Sequence, residues 1–344
     1  MNSVSMLKGN TNSRRLFIDI SKTIGLFLMV LGHGGLFGSQ NIEQVIYSFH
    51  MPLFFILSGL FFRPGKLKRT VRSTLIPYLS LNALMLIWSM LLALFRHESI
   101  LILFKRSVPA IIMGLGYNTT DYTPVCAPMW FFYVLMLVHV IANFAYSSYG
   151  RKIFVNSYLL VTSVLSIFVV LLLKKSEIDT LIPIDSALYA FPYFAFGYYI
   201  KTYMLGEQRP VTLLVNSVCL CIVLLITTHI NGITGINSVS IGNNILLAYA
   251  SGISGTLMVL FISKIIEKQN LFKRLDYRTY SEGAAIVVGL NLLMIDMINR
   301  VIFMLLPEFT HTIITGSITA IIILLLCYPI IKACLKYCPI LIGR

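Results

Sequence analysis

Long runs of apolar residues, separated by short polar segments, make up most of this chain. A helix needs roughly 20 apolar residues to cross the hydrocarbon core of a bilayer. Ten stretches meet this criterion, and in chain order they are 16–37, 43–62, 73–95, 127–146, 153–173, 182–200, 211–229, 241–263, 283–304 and 312–334. They are too long and too closely spaced for barrel strands, and only helices or closed barrels can span lipid. The pattern therefore predicts an all-α polytopic membrane protein with about ten transmembrane helices.

Composition agrees with this class, because 57% of the 344 residues are hydrophobic and only 12% are charged. Soluble domains usually carry about twice that charged share. The net charge of +14 comes from basic residues in short clusters between the apolar runs, which indicates membrane orientation rather than nucleic-acid binding. If the chain starts inside, the inner segments hold 21 of the 27 Lys and Arg residues. Both termini are therefore predicted to be cytoplasmic.

One membrane domain, 16–335, is predicted between a cytoplasmic N-terminal tail, 1–15, and a cytoplasmic C-terminal tail, 336–344. The first apolar run contains three ionisable residues and is followed by no small-residue cleavage site, so we expect a retained span rather than a signal peptide. The outer segment 96–126 also holds an apolar stretch, but two basic residues and a proline interrupt it. We predict an interfacial or re-entrant helix there rather than an eleventh span.

Two histidines, His33 and His50, lie in the first two predicted spans at similar depth. Lys22 precedes His33 by almost three helical turns, so the two share a face at a separation of roughly 16 Å. Pro52 leaves the carbonyl of Ser48 without its helical hydrogen-bond partner, which favours a polar pocket beside His50. Ionisable groups inside a membrane mark functional sites by default, although a buried histidine can also simply bond a neighbouring helix.

Five further side-chain positions have two interpretations each. Arg69 and Arg72, three residues apart, either satisfy the positive-inside bias or bind an anionic cytosolic molecule, since Arg pairs with phosphate in a bidentate fork. Trp130 is an interfacial anchor or a pocket wall. His139 and His229 are assigned to packing or to a helix interface. The six cysteines show no metal-ligand or redox spacing, so no metal site is predicted.

Five segments carry a resemblance to a known family. They are RRLFIDISKTIGLFLMVLGH (14–33), IYSFHMPLFFILSGLFF (46–62), RTVR (69–72), APMWFF (127–132) and FPYFAFGYYI (191–200). These segments resemble the acyltransferase 3 family of integral-membrane acyltransferases, particularly the bacterial sugar O-acetylases such as the fucose 4-O-acetylase-like proteins. The resemblance covers about residues 14–335 and implies a fold of some ten helices.

The resemblance implies that acetyl-CoA is the donor and that a glycan hydroxyl at or across the membrane is the acceptor. The family's pattern of a basic residue, a ten-residue spacer and a histidine falls on Lys22 and His33, and its Arg-two-spacer-Arg pattern falls on Arg69 and Arg72. His33 would take the proton from the sugar hydroxyl or transiently accept the acetyl group. The arginines would hold the CoA phosphates, and Lys22 would orient the donor or offset charge. Relatives often have a histidine where this chain has Asn291, so the acceptor contacts are expected to differ here.

We therefore predict a multi-pass O-acetyltransferase of a bacterial inner membrane that acts on a surface polysaccharide (O-antigen, capsule or exopolysaccharide) or on its lipid-linked precursor. No permanently bound cofactor is predicted, and the partners are acetyl-CoA, the glycan acceptor and membrane lipids. The alternative is a transporter or flippase without covalent chemistry, a class that often repeats paired broken helices in two halves. Here the polar residues concentrate in the first two spans and the following loop, which favours an enzyme. A succinyl or longer acyl donor stays open.

Overall fold

The computed structural model describes residues 16–34, 40–149, 152–178, 180–306 and 312–343. These residues form α1 (Leu16–His33), α2 (Gln40–Leu60), α3 (Leu67–Phe95), α4 (Ile100–Met113), α5 (Trp130–Tyr149), α6 (Lys152–Lys175), α7 (Ile184–Leu205), α8 (Pro210–Asn231), β1 (Thr234–Gly235), β2 (Ser240–Ile241), α9 (Ile245–Lys268), α10 (Tyr277–Glu282), α11 (Ala284–Leu305) and α12 (Ile313–Tyr337). The two short strands pair as an antiparallel hairpin between α8 and α9. The predicted N-terminal tail and most of the turn after α1 lie outside the described residues.

Each of the ten predicted spans coincides with a long helix. Of the described helices, eight are long and apolar enough to cross a membrane, and α2 and α7 are not among them. These two pack against each other, and α2 also contacts α1, α8 and α9, so much of their surface faces protein rather than lipid. The all-α, multi-pass class is thus confirmed, whereas crossing by α2 and α7 and the cytoplasmic position of both termini stay predictions. The 14-residue α4 is not a candidate span either, as expected for an interfacial or re-entrant piece.

The helix ends define two ends of the bundle. Gln44, near the start of α2, donates to the carbonyl of Thr228, near the end of α8. Lys264, near the end of α9, donates to the carbonyl of Gly206, just after α7. We call the end at which α1 finishes and α2 begins the His33 end, and the end at which α1 and α3 begin the arginine end. Donor and acceptor approaching from opposite sides of a membrane would meet opposite ends.

The α2–α7 crossing brings two backbones into direct contact. A Cβ atom added at Gly59 of α2 would overlap the carbonyl oxygen of Phe194, and one at Gly197 of α7 would overlap the carbonyl oxygen of Ile56. Small residues at a helix crossing permit such close approach in membrane proteins. Both glycines are therefore needed for the observed distance between these helices.

A break separates α10 from α11. Asp276 begins α10, since its carboxylate accepts hydrogen bonds from the backbone N and the Oγ1 of Thr279 and from the hydroxyl of Tyr328 on α12. The hydrogen bond from the Thr279 hydroxyl, the largest contribution, lowers the pKa of Asp276. At the break itself, a Cβ atom on Gly283 would overlap Ile331 of α12. The first turn of α11 consequently starts inside the bundle, where it lines the cavity described next.

Candidate active site

A cavity of about 270 Å³ lies among α1, α2, the start of α5, the first turns of α11 and the β1–β2 hairpin. We call it the His33 cavity. Its polar lining includes His33, Tyr47, His50 and Asn237. Its apolar walls are Met29, Met51, Phe54, Pro128, Trp130, Phe131, Phe132, Ile236, Ala284 and Val288. Mostly aromatic and aliphatic walls with a few convergent polar groups are typical of small-molecule sites.

His33 is the last residue of α1 and is held by Asn291 of α11. The ring nitrogen Nδ1 lies 2.8 Å from Oδ1 of Asn291. The amide nitrogen of the fully buried Asn291 donates to the carbonyl of Val288, which can only accept, so Oδ1 is the atom that faces His33. Nδ1 of a neutral His33 must therefore carry the proton. Its Nε2 is left as the unprotonated nitrogen, which is the form a general base or a nucleophile requires.

His50 is oriented in the same way by its own helix. Its Nδ1 lies 2.9 Å from the carbonyl oxygen of Ile46, one turn earlier on α2, so that nitrogen is the donor. The side chain is only 2% exposed, yet it lines the cavity. The ring of Tyr47 contacts His50 edge-on at a centroid distance of 5.1 Å and lies 6.3 Å from the ring of His33. In both neutral histidines Nδ1 is therefore the protonated nitrogen and Nε2 the unprotonated one, and both side chains line the same aromatic pocket.

The His33 cavity adjoins a more open cavity of about 320 Å³, which we call the vestibule. The two share His33, Tyr47, Trp130 and Asn237, and the vestibule adds Glu43 near the start of α2. Because His33 ends α1, Glu43 lies in the first turn of α2 and Trp130 begins α5, the vestibule approaches His33 from the His33 end of the bundle.

The structure brings His33, His50, Trp130 and Asn291 together. Trp130 is buried and forms part of the wall, and Asn291 contacts the ring of His33 rather than the open space. Ser48 is separate: its buried hydroxyl donates to the carbonyl of Val45 in its own helix, and it is not among the described lining residues.

Three other predicted residues lie away from the cavity. Lys22 is half-buried on α1, about 16 Å of helix from His33, and the described lining does not include it. Arg69 and Arg72 are exposed in the first two turns of α3, at the arginine end. Since the 18 residues of α1 rise about 26 Å, the two arginines and His33 lie at opposite ends of the bundle.

Sequence reasoning missed Tyr47 and Asn237. Tyr47 lies in an apolar helix next to the motif histidine, and an aromatic residue there is equally typical of packing. Asn237 lies in a short polar loop with no periodicity, far in sequence from α1 and α2. Only the helix arrangement shows that both side chains border the same cavity.

A model of an acyltransferase domain, that of the acyltransferase 3 family, matches residues 15–332, nearly the whole chain. This chain belongs to that family. The protein is accordingly a multi-pass membrane acyltransferase, in agreement with the resemblance of its motifs. Comparison with the curated proteins and with the solved structures gave no significant match in either case.

Proposed function

We propose that this acyltransferase is an O-acetyltransferase of a bacterial inner membrane. It moves an acetyl group from cytosolic acetyl-CoA to a sugar hydroxyl of a surface polysaccharide or of its lipid-linked precursor. The observation that carries the proposal is the fixed tautomer of His33, whose Nδ1 donates to Asn291 while Nε2 is left for the cavity. An oriented, unprotonated imidazole beside an open path is what acyl transfer to a hydroxyl requires.

In the proposed reaction, Nε2 of His33 takes the proton from the sugar hydroxyl as its oxygen attacks the thioester carbonyl carbon. The C–S bond then breaks, the imidazolium returns the proton to the CoA sulfur, and the products are a sugar acetate and free CoA. Alternatively, Nε2 attacks the thioester carbon, the C–S bond breaks and CoA leaves as the thiolate. The sugar oxygen then attacks the acetyl-imidazolium while His50 takes the hydroxyl proton, His33 is released as the neutral imidazole, and the proton on His50 passes to the CoA sulfur. Acid quenching with labelled acetyl-CoA distinguishes the routes, because only the second labels His33.

Donor and acceptor are proposed to enter from opposite ends. Arg69 and Arg72, exposed in the first turns of α3, hold the CoA phosphates on the cytosolic side. The long, flexible pantetheine arm then carries the thioester towards His33, past Lys22 on the same face of α1. The acceptor sugar enters through the vestibule. A cavity of about 270 Å³ with bulky aromatic walls favours a short acyl group over a fatty acyl chain.

The test is acetate content of the cell-surface glycan, measured by NMR in a deletion strain complemented with variants of this chain. His33→Ala is expected to insert normally and to lose acetylation by at least about a thousandfold. His229→Ala, an exposed histidine at the end of α8, is the matched control and should retain acetylation. Unchanged acetate in His33→Ala would refute the proposal. Substrate movement in vesicles that lack any acyl donor would favour the transporter alternative instead.

A further inference from the structure

A polar groove of about 250 Å³ borders the turn of the β1–β2 hairpin, where it shares Asn237 and Ser238 with the His33 cavity. It is formed by the end of α6, the start of α7, the loop after α4 and the turn of the hairpin. Its principal polar side chains are Tyr117, Lys174, Glu177 and Asp185. We call it the hairpin groove, and none of these four residues has a part in the reaction proposed above.

Asn237, at the turn of the hairpin, connects the groove to the reaction site. It lines the hairpin groove, the His33 cavity and the vestibule at once. Its side-chain nitrogen Nδ2 donates to the backbone carbonyl of Gly116 at 3.2 Å. Its backbone carbonyl accepts a hydrogen bond from the hydroxyl of Ser186, also at 3.2 Å. The three spaces are therefore adjacent at Asn237, so the hairpin groove is the polar space beside the reaction site in which the next unit of a chain-like substrate could be held.

The groove offers the chemistry that sugar hydroxyls recognise. Glu177 and Asp185 only accept hydrogen bonds, Lys174 only donates them, and each sugar hydroxyl does both. The exposed ring of Tyr117 supplies an apolar surface for the C–H face of a pyranose. Two carboxylates against one ammonium group disfavour a negatively charged occupant.

We propose that the hairpin groove binds the glycan unit next to the sugar that is acetylated, and that it selects an uncharged sugar at that position. This proposal rests on the proposed function, since it places the reacting hydroxyl at His33. The protein would then prefer oligosaccharide or polymer acceptors to free monosaccharides. The sugar next to the acetylated one would be recognised outside the reaction cavity, in the hairpin groove.

The experiment measures acetyl transfer by the full-length protein in membranes, with acetyl-CoA and a panel of methyl glycosides. The panel pairs hexoses, 6-deoxyhexoses and N-acetylhexosamines with their disaccharides, each with a neutral or a uronic acid unit at the second position. The wild type should show a lower KM for the neutral disaccharide than for its monosaccharide. Glu177→Gln combined with Asp185→Asn should raise that KM about tenfold and leave the KM values for the monosaccharide and for acetyl-CoA unchanged.

The uronic acid acceptor gives a readout that misfolding cannot imitate. The same double variant should use the uronic acid disaccharide better than the wild type does, because two negative charges have been removed. Glu98→Gln, an exposed carboxylate at the same end of the bundle, is the control and should change neither KM.

An equal effect of the double variant on monosaccharide and disaccharide, no effect on either, or the same effect from Glu98→Gln would overturn the inference alone. Failure of the wild type to acetylate any member of the panel, or any glycan in the complemented strain, would instead overturn the proposed function and the inference with it.

Discussion

Two histidines in this bundle, the half-buried His33 and the buried His139, use their ring nitrogens in opposite ways. Nδ1 of His33 is hydrogen-bonded to Asn291, and the side chain lines a cavity with Nε2 as its second ring nitrogen. In His139, on α5, Nε2 is instead hydrogen-bonded to the hydroxyl of Ser58 at 2.7 Å. Its buried Nδ1 has no hydrogen-bond partner among the described residues. Phe194 packs edge-on against its ring at 4.9 Å. The proposed catalytic histidine therefore lines a cavity and keeps its free nitrogen Nε2, whereas His139 is enclosed by packed side chains.

Among the variants that test this difference between His33 and His139, we expect the largest loss of activity at Asn291. Asn291→Leu removes the acceptor that fixes the tautomer of His33, so kcat for acyl transfer should fall about 100-fold. In Asn291→Asp the carboxylate still accepts the hydrogen bond from Nδ1 of His33, so its kcat should be at least tenfold higher than that of Asn291→Leu. Steady-state kinetics on purified variants with matched thermal unfolding provide the measurement. Equal losses in the two variants would show that a hydrogen-bond acceptor at Nδ1 of His33 is not what makes Asn291 important.

The next effect concerns the second cavity histidine. His50→Gln removes the other unprotonated Nε2 but leaves His33 and its partner in place, so kcat should fall about 30-fold. The KM for acetyl-CoA should not change, since the proposed phosphate contacts are at the arginine end. If His50→Gln keeps full kcat, His50 has no part in the reaction and is a packed histidine like His139.

The donor contacts should affect KM rather than kcat. Replacing Arg69 and Arg72 together by Ala should raise the KM for acetyl-CoA about tenfold through the loss of charge-assisted hydrogen bonds. Lys68→Ala, an exposed cation on the same turn of α3, is the matched control and should cost less than twofold. If Lys68→Ala has the same effect as the double variant, the contribution is general positive charge and not a phosphate site.

The smallest effect is expected at His139. Replacing His139 by Phe and Ser58 by Ala together removes both members of one hydrogen bond and an unpartnered buried nitrogen. Such paired replacement is usually close to neutral, and relief of the unpartnered nitrogen offsets about 1 kcal/mol. Activity should stay within twofold, and the thermal unfolding temperature should stay equal or rise. A large loss of kcat with a normal unfolding temperature would show that His139 contributes to activity, which contradicts its assignment as a packed histidine.

The helices could be predicted because each needs only a local signal, a long apolar run. The apolar pattern predicts that the second and third spans begin at residues 43 and 73, whereas α2 begins at Gln40 and α3 at Leu67. The difference arises because polar and basic residues form the first turns of these helices, before the apolar stretch begins. The site was predicted less completely. His33 and His50 stand out as ionisable groups in an apolar run, whereas the contact between His33 and Asn291 joins residues 258 positions apart and has no local signature.

The glycine crossing of α2 and α7 has a consequence for how inactivating mutations should be distributed. His50 is carried by a helix whose backbone touches that of its neighbour at Gly59 and Gly197, with no layer of side chains between them to absorb a change. A side chain added there must push α2 away from α7, and we expect the shift to reach His50, which lies more than two turns away on the same helix. Random mutagenesis should therefore find a second group of inactive variants at this crossing, in proteins that are made in normal amounts and whose reaction cavity is chemically intact.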